Sequence, residues 1–476
     1  MYSARLWSVR HARAFQRIYS FLEGYIQWLR PLVHAIGPRQ AETAIRPIER
    51  VTKQFLFDCR MCGQCVLSST GMACPMNCAK QMRNGPCGGV RPDGTCEVNP
   101  GVRCAWIEAI NGGKRIASNT KGLASALPAL PPLDHARTGE SSWIKVINGS
   151  STYDPIPRFS ETEVVAHLPG RLESACQSGR FVVTVEVAPP DSADPDALIA
   201  RAIRFKGLVD AINITDGAGG NCHMSSVAAS AILAANGLTP VYQVACRDRN
   251  RIAIQGDILG AAALGVQNIL CLTGDDVSQG DHPQAKPVFD LDAVSLLHIA
   301  RGMCDRGQYA SGRKLDRAPS LFIGATANPF VPPYKDRVLN LERKIDAGAQ
   351  FIQTQFCFDV PMLEDFMREV RARGLHCRSR IIVGVGTLSS AKGLRWMVQH
   401  VPGIHVPESL LKRIGDAADQ KAEAKRACIE IIQAIASIEG VAGVHVMGHK
   451  NEDVLEQIII ESGIRTLATP TIGAAS

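Results

Sequence analysis

Eight short runs rich in β-branched and apolar residues punctuate the chain at 181–187, 211–215, 240–245, 268–272, 321–325, 351–358, 381–385 and 443–447. Helical patterns lie between them at 197–205, 225–236, 251–264, 291–301, 337–347, 362–373 and 424–438, with a last one at 453–462. Strands that alternate with helices are the signature of parallel βα units, because a parallel pair needs a crossover long enough to return the chain to the same end of the sheet. Eight such units in about 290 residues predict an α/β fold of the (β/α)8 TIM-barrel class over residues 179–476. An open, doubly wound sheet is the alternative, since counting strands does not prove closure. A barrel places its chemistry at the C-terminal ends of the strands. The polar residues gather there: Glu186 on the first run, Thr215, Asp216 and Gly217 on the second, Gln243, Arg247 and Asp248 around the third. Gly274, Asp275 and Asp276 follow the fourth, Asn328 follows the fifth, and Gln353 and Gln355 lie within the sixth.

A second region obeys different rules. Eight of the sixteen cysteines fall between Cys59 and Cys104, spaced C-x2-C-x2-C-x8-C-x3-C-x8-C-x8-C-x7-C and separated by glycines. So small a segment, poor in large apolar residues, needs cross-links or metal to order it. Cys59, Cys62 and Cys65 with Cys74-Pro75 approximate the bacterial [4Fe–4S] run, with a longer final gap. A C-x2-C pair is also half of a zinc ribbon. Cys78, Cys87, Cys96 and Cys104 can supply a second four-thiolate site. An iron–sulfur cluster and zinc both remain open, and disulfides rank last if the compartment is reducing.

Around these regions the chain reads as helices over 1–55, the Cys-rich metal-binding module over 56–112, and a Pro-, Ser- and Gly-rich linker over 113–178 that wraps a surface. In 1–55, Phe15, Ile18, Leu22, Ile26, Leu29 and Leu32 recur at helical spacing and predict one or two amphipathic helices. These either pack on the rest of the chain or present a face to a membrane or partner. The longest apolar runs, such as 229–233 and 458–460, fall far short of the roughly 18–20 residues of a spanning helix. With no recognisable signal peptide, the expected setting is cytoplasmic. The formal charge of +7 comes from scattered basic residues with no dense run, which argues against nucleic acid as a partner.

The segments V-T-V-E-V-A-P-P, N-I-T-D-G-A-G-G-N, C-R-D-R-N, L-C-L-T-G-D-D, N-L-E-R-K-I-D-A-G-A and F-I-Q-T-Q-F-C-F-D, running in order from Val183 to Asp359, make the barrel half resemble the methylenetetrahydrofolate reductase family. N-G-P-C-G-G at 84–89 and C-A-W at 104–106 make the Cys-rich half similar to the small partner subunit of acetogen-type members, here fused ahead of the barrel. The resemblance implies a flavoenzyme that interconverts 5,10-methylenetetrahydrofolate and 5-methyltetrahydrofolate. It implies Glu186 as the acid that protonates the bridging nitrogen, and opening that ring at neutral pH independently requires a proton donor. A partly buried carboxyl can serve, since desolvation favours its neutral form.

By the same resemblance Asp275 lies beside the flavin and reaches the pterin, with Asp276 its rival, while Gln355, with Gln353, contacts the substrate. Thr215, Asp216, Gly217, Gly219, Gln243, Arg247, Asp248, Gly274, Asp275 and Lys344 are implied to hold the cofactor, FAD with FMN as the alternative. Two positions depart from the family pattern. Asn451 stands near where an arginine follows the last strand, and Arg337, next to Asp336, replaces an acidic residue. The electron donor is NAD(P)H or a ferredoxin-type protein acting through the Cys module, and a homo-oligomer is expected. The competing reading is a non-catalytic flavin- or folate-binding partner in a methyl-transfer complex; the joint presence of Glu186, Asp275 and Gln355 weighs against it.

Overall fold

The computed structural model describes residues 2–117, 129–159, 168–386, 390–401, 403–448 and 451–465. Parts of the expected linker (118–128, with Pro128, and 160–167) and His449 and Lys450 beyond the last strand lie outside the described residues. The chain forms two compact units. One comprises Met1–Cys87, Asp93–Pro157 and Asp290–Ser295; the other comprises Gly88–Pro92, Arg158–Phe289 and Leu296–Ser476.

The first unit opens with helices α1 (Tyr2–Arg10), α2 (Ala12–Ile26), α3 (Arg30–Ile36) and α4 (Pro38–Phe57), so the amphipathic region is cut into more pieces than its periodicity suggests. Gly37 separates α3 from α4 at φ 95°, a backbone angle that favours glycine. Ala12 and Phe57 pack inward with Leu67, Met72, Cys74, Met76 and Leu133. The opposite stripe, Ile18, Phe21, Leu22, Tyr25, Trp28, Leu29 and Leu32, stays exposed. No helix among the described residues is long and apolar enough to cross a membrane. After α4 the Cys-rich stretch is almost all turns until α5 (Ala105–Ile116), and the short α6 (Ser142–Ile147) packs on Val33 and Ala41. Such a segment has few ladder hydrogen bonds of its own, so its order rests on side-chain contacts.

The second unit contains eight parallel strands: β1 (Val182–Val187), β2 (Ala211–Ile214), β3 (Pro240–Ala245), β4 (Asn268–Leu272), β5 (Phe322–Ala327), β6 (Phe351–Phe356), β7 (Arg380–Gly386) and β8 (Val441–Met447). Each pairs with the next, and β8 pairs with β1 through Val182 with Gly443 and Thr184 with His445, so the sheet is a closed barrel. Closure rules out the open doubly wound alternative. The strands begin and end within about two residues of their sequence-derived limits, because both faces are buried and the apolar runs are continuous. Helices α8 (Pro195–Ala202), α9 (Ser226–Ala235), α10 (Arg251–Ala263), α11 (Ala293–Asp305), α12 (Arg337–Asp346) and α13 (Val360–Ala372) fill the crossovers through β6. They are followed by α14 (Leu375–Arg378), α15 (Ala391–His400), α16 (Glu408–Gly415), α17 (Gln420–Ala436) and α18 (Glu452–Glu461).

A helix that the sequence patterns did not reveal, α7 (Arg171–Gln177), precedes β1 within the expected linker. Its Leu172, Ala175 and Cys176 pack on Val182, Ala211, Val241, Leu270, Phe322, Phe351 and Ile382, the first inward layer of the strands, and plug the N-terminal end of the barrel. The rings of Phe322 and Phe351 stack at 4.9 Å there. Gly324 is required beside them, since a Cβ at that position would meet the Phe351 ring at 2.3 Å. Burial of side chains such as Leu172 and Phe351 contributes roughly 1.5–3 kcal/mol each to holding this floor in place.

Candidate active site and thiol sites

Side chains alternate across a strand, so the residues that share a face with the floor residue Val182 on β1 are Thr184 and then Glu186. The floor is apolar; the layers above it are polar. In the middle layer the Gln353 side chain exchanges two hydrogen bonds with Asn213, accepting from Nδ2 at 2.6 Å and donating to Oδ1 at 3.1 Å. Gln353 Nε2 also donates to Thr184 Oγ1 at 3.2 Å, and Thr184 Oγ1 lies 2.9 Å from Nδ1 of His445. Thr184 Oγ1 accepts from Gln353 and has its own proton to offer Nδ1, the arrangement in which Nε2 carries the ring hydrogen. That Nε2 lies 3.9 Å from Oε2 of Glu186, whose side chain is 28% exposed while His445 is 3% exposed. The chain Asn213–Gln353–Thr184–His445 therefore ends at the carboxyl of Glu186. Gln353, expected at the substrate, is 2% exposed and spends its amide within this network. Gln355, two residues on and only partly buried, has Oε1 accepting from the Phe356 amide at 3.1 Å.

The loops after β2, β3 and β4 interlock. Arg247 is 4% exposed; it grips Asp248 with Nε and Nη2 at 2.8 and 2.6 Å and donates from Nη1 to the Gly217 carbonyl at 2.9 Å. Gly217 has φ 59°, and a Cβ there would lie 2.3 Å from Arg247 Nη2. Gly274 has φ 98°, and its Cβ would lie 2.8 Å from that of Arg247. Both glycines are thus needed twice, for the turn and for the close approach. The amide of Gly219 donates to the exposed carboxylate of Asp275 at 2.8 Å, tying the second loop to the fourth. Asp276 is buried and caps the turn Val277–Gln279, accepting from the Ser278 amide and hydroxyl. Its carboxylate is committed to the fold, whereas Asp275 faces solvent.

Other expected cofactor residues divide in the same way. Asp216 accepts from the Ala245 amide at 2.8 Å and Ser226 Oγ at 3.0 Å and pairs with Arg249, all contacts within the fold. Lys344, on α12, donates to the carbonyl of Thr326 at the end of β5. Gln243 lies buried on β3. Thr215, 4% exposed, carries a hydroxyl with no hydrogen-bond partner among the described residues. Arg337, the departure from the family pattern, is buried and donates to the carbonyls of Val331 and Pro332, so its charge braces the loop after β5. Asn451 stands immediately before α18.

In the first unit none of the described cysteines is joined in a disulfide. Cys59, Cys62, Cys65 and Cys74 line one cavity together with Glu49, Lys53 and Arg83. Burial pushes the Cys59 thiol up to about 11, and burial followed by the neighbouring Cys59, Cys62 and Cys65 pushes Cys74 further. Burial likewise raises Cys78 to about 12, with Cys104 and Cys96 adding to the shift. Cys87 is raised well above its ordinary value by burial, then by Glu97, with Cys104 and Cys78 contributing. Cys59, Cys62 and Cys65 thus act on Cys74, and Cys96 and Cys104 act on Cys78. Among the described residues no three His, Cys, Asp or Glu side chains are arranged as they stand to hold a single metal ion.

The sequence model of the methylenetetrahydrofolate reductase family matches residues 171–463, from α7 to the end of α18 and over more than half of the chain. The chain belongs to the methylenetetrahydrofolate reductase family. A second model, described as the methylenetetrahydrofolate reductase C-terminal region, matches residues 39–129, which here precede the barrel. Among curated reductases of the family, the chain is 25% identical to a probable NADPH methylenetetrahydrofolate reductase of Caenorhabditis elegans, over 50% of this chain and 34% of that protein. It is 27% identical to the 5,10-methylenetetrahydrofolate reductase of Pectobacterium carotovorum, over 46% of this chain and 67% of that one. The chain thus spans about a third of the length of the worm reductase. A Clostridium thermocellum protein solved with two copies of 5-methyl-5,6,7,8-tetrahydrofolic acid is 14% identical, with a TM-score of 0.45, covering 63% of this chain and 100% of that one.

Thr184 and Asn213 lie in the motifs V-T-V-E-V-A-P-P and N-I-T-D-G-A-G-G-N and His445 in the last strand, but nothing in those motifs marks the three as one network. One signal was available: Thr184 stands two residues before Glu186, on the same strand face. Its partner His445 is 261 positions away and becomes a neighbour only on barrel closure.

Proposed function

We propose that the barrel interconverts 5,10-methylenetetrahydrofolate and 5-methyltetrahydrofolate, with Glu186 giving the proton that opens the imidazolidine ring. The carrying observation is the placement of Glu186 at the polar end of the barrel, partly exposed, beside the Nε2 of a buried histidine whose other nitrogen is fixed by Thr184 and Gln353. When Glu186 releases its proton to the bridging nitrogen, the Nε2–H of His445 is placed to stabilise the carboxylate that remains. Gln355 and the exposed Asp275 supply an amide and a carboxylate for the pterin edge, a pairing suited to its donor–donor face. In the opposite direction Glu186 takes the proton back.

The residues present suit a flavin. The buried Thr215 hydroxyl, without a hydrogen-bond partner among the described residues, is a polar group open to a ligand, and the left-handed Gly217 and Gly219 carry no side chain into the space beside it, with Gln243, Gly274, Arg247 and Asp248 around them. A bound flavin, FAD or FMN, supplies the hydride chemistry that no side chain can supply. Asp216 and Lys344 act in this reading by bracing the loop and strand that hold the site. The name of the worm relative supports a nicotinamide as the electron source.

In the same reading residues 56–112 are a metal-binding module ahead of the barrel at 179–476. The cavity among Cys59, Cys62, Cys65 and Cys74 supports a cluster, which occupies volume between its ligands, over a zinc ion, which draws four thiolates to one point. Cys78, Cys87, Cys96 and Cys104 provide the second site.

The deciding experiment is Glu186→Gln. Folate turnover is expected to fall by about a hundredfold or more, while flavin reduction by its donor stays near the unsubstituted rate. Equal loss of both half-reactions removes the assigned role.

A further inference from the structure

Two buried Lys–Glu pairs accompany the two thiol sets, and they are not equivalent. At the first set, Glu49 is saturated: its carboxylate accepts from Lys53 Nζ and Ser142 Oγ, both at 2.6 Å, from Ser141 Oγ, and from the Trp143 amide at 3.3 Å. Glu140, also at this cavity, is half exposed and paired with Lys145 at 2.6 Å. That leaves Arg83. It is 4% exposed, and its Nε donates to the Pro131 carbonyl at 2.8 Å. Its Nη1 and Nη2 are buried with no hydrogen-bond partner among the described residues. Asp292, the carboxylate near it, accepts from the Arg83 backbone amide at 3.0 Å and from Asn84 Nδ2, at 3.2 Å on one oxygen and 3.1 Å on the other. A buried guanidinium with two open nitrogens is costly unless an acceptor, preferably anionic, meets it.

The second set shows the reverse. There Lys80 is paired with Glu97, and the same Glu97 carboxylate accepts from the Cys87 thiol at 3.4 Å. One set of thiols shares its cavity with unspent N–H donors; the other touches a carboxylate.

We propose that Arg83 is the electrostatic clamp of the first thiol site: its free Nη1 and Nη2 groups donate to the anionic metal–thiolate group held by Cys59, Cys62, Cys65 and Cys74. This poises the first site at a higher reduction potential than the second, where the charge of Lys80 is spent on Glu97. The proposal rests on the metal-binding reading of the module. Its physical content is that hydrogen bonds and positive charge at the sulfurs favour the more electron-rich state, and a nearby carboxylate disfavours it. Arg83 is a positioning residue in this sense, and Lys53, held by Glu49, adds a second fixed charge at the same cavity.

The test uses the full chain purified without oxygen, with iron, sulfide and zinc analysis and a dithionite titration followed by electron paramagnetic resonance. The unsubstituted protein is expected to show two one-electron transitions. Arg83→Met should shift the upper one downward by about tenfold in its equilibrium constant, about 59 mV, and leave the lower one in place. Arg83→Lys should recover part of that shift, since lysine restores the charge without the fork. Glu97→Gln should raise the lower transition alone. Loss of iron from the first set in Arg83→Met, with retention in Arg83→Lys, also supports a clamp. Full metal content with both midpoints unmoved, or both moved equally, overturns it. Should Arg83→Met not accumulate, Arg83→Lys and Glu97→Gln still decide the matter by whether their shifts are confined to separate transitions. A protein with neither iron nor zinc defeats the metal-binding reading itself. Zinc in both sets leaves that reading standing and overturns the inference.

Discussion

The sixteen cysteines divide evenly between two environments, and the same chemical group does opposite things in them. In the barrel unit, Cys428 on α17 is pushed up to about 12 by burial alone, and Cys357 reaches about 12 by burial with the Asp359 carboxylate adding. Each behaves as a small hydrophobic residue that keeps its proton. In the module, thiols equally buried are shifted by one another and by Lys53, Lys80 and Glu97. Burial alone is therefore common to both groups; what sets the module thiols apart is the company of other thiols and fixed charges. The barrel is held by its strands whether or not its thiols are present. The module is almost without regular structure between α4 and α5, and in the proposed reading it depends on the metal its thiols hold.

The largest expected contrast is between Cys62→Ala and Cys428→Ala. An incomplete thiolate set forfeits much of the metal's folding free energy, which reaches about 10–16 kcal/mol for structural zinc in small peptides, so the first variant should lose metal and melt early. The second should cost about 1 kcal/mol and leave metal content unchanged. Equal melting shifts in the two variants break the comparison. Next in size is metal removal. In the intact protein a thiol reagent should reach Cys222 and Cys377, the exposed pair, and chelation should open the module's eight thiols while the buried barrel thiols stay protected. Mass spectrometry of the alkylated peptides counts them.

The smallest effect is on pH dependence. The barrel thiols Cys176, Cys357 and Cys428 have folded values of about 12, raised by burial from an ordinary 9.0. The folded barrel therefore binds more protons than the unfolded chain above about pH 9. Its stability should be complete below that and decline as pH rises toward 12. Urea midpoints measured from pH 8 to 11 should fall, and Cys428→Ala should flatten the slope. An unchanged slope sets Cys428 apart from the titrating groups.

The strands were legible because a parallel barrel buries both faces and writes itself as continuous apolar runs. Pro240–Ala245 and Asn268–Leu272 match residue for residue. The short α6 and α7 were not legible, having too few turns to establish a period amid polar loops. Of the candidate site, Glu186 was legible from its local motif. The network behind it was not, because Thr184 meets His445 only across the closing seam between β1 and β8. Asp275 and Asp276 are adjacent and identical in type, and what separates them is local: Asp276 precedes Val277 and Ser278 in a capping pattern, and the structure uses it as a cap. Arg83 escaped notice because arginine in a Gly-rich segment looks like a solvated charge, and its burial follows from tertiary packing alone.

The plug formed by Leu172, Ala175 and Cys176 beneath Phe322 and Phe351 makes the barrel a cup rather than a tunnel. Whatever reaches Glu186 must come and go by one doorway, over the loops braced by Arg247. Under the proposed function, the reactant that brings electrons and the one that takes them approach Glu186 from that same side, and each uses the entrance in its turn.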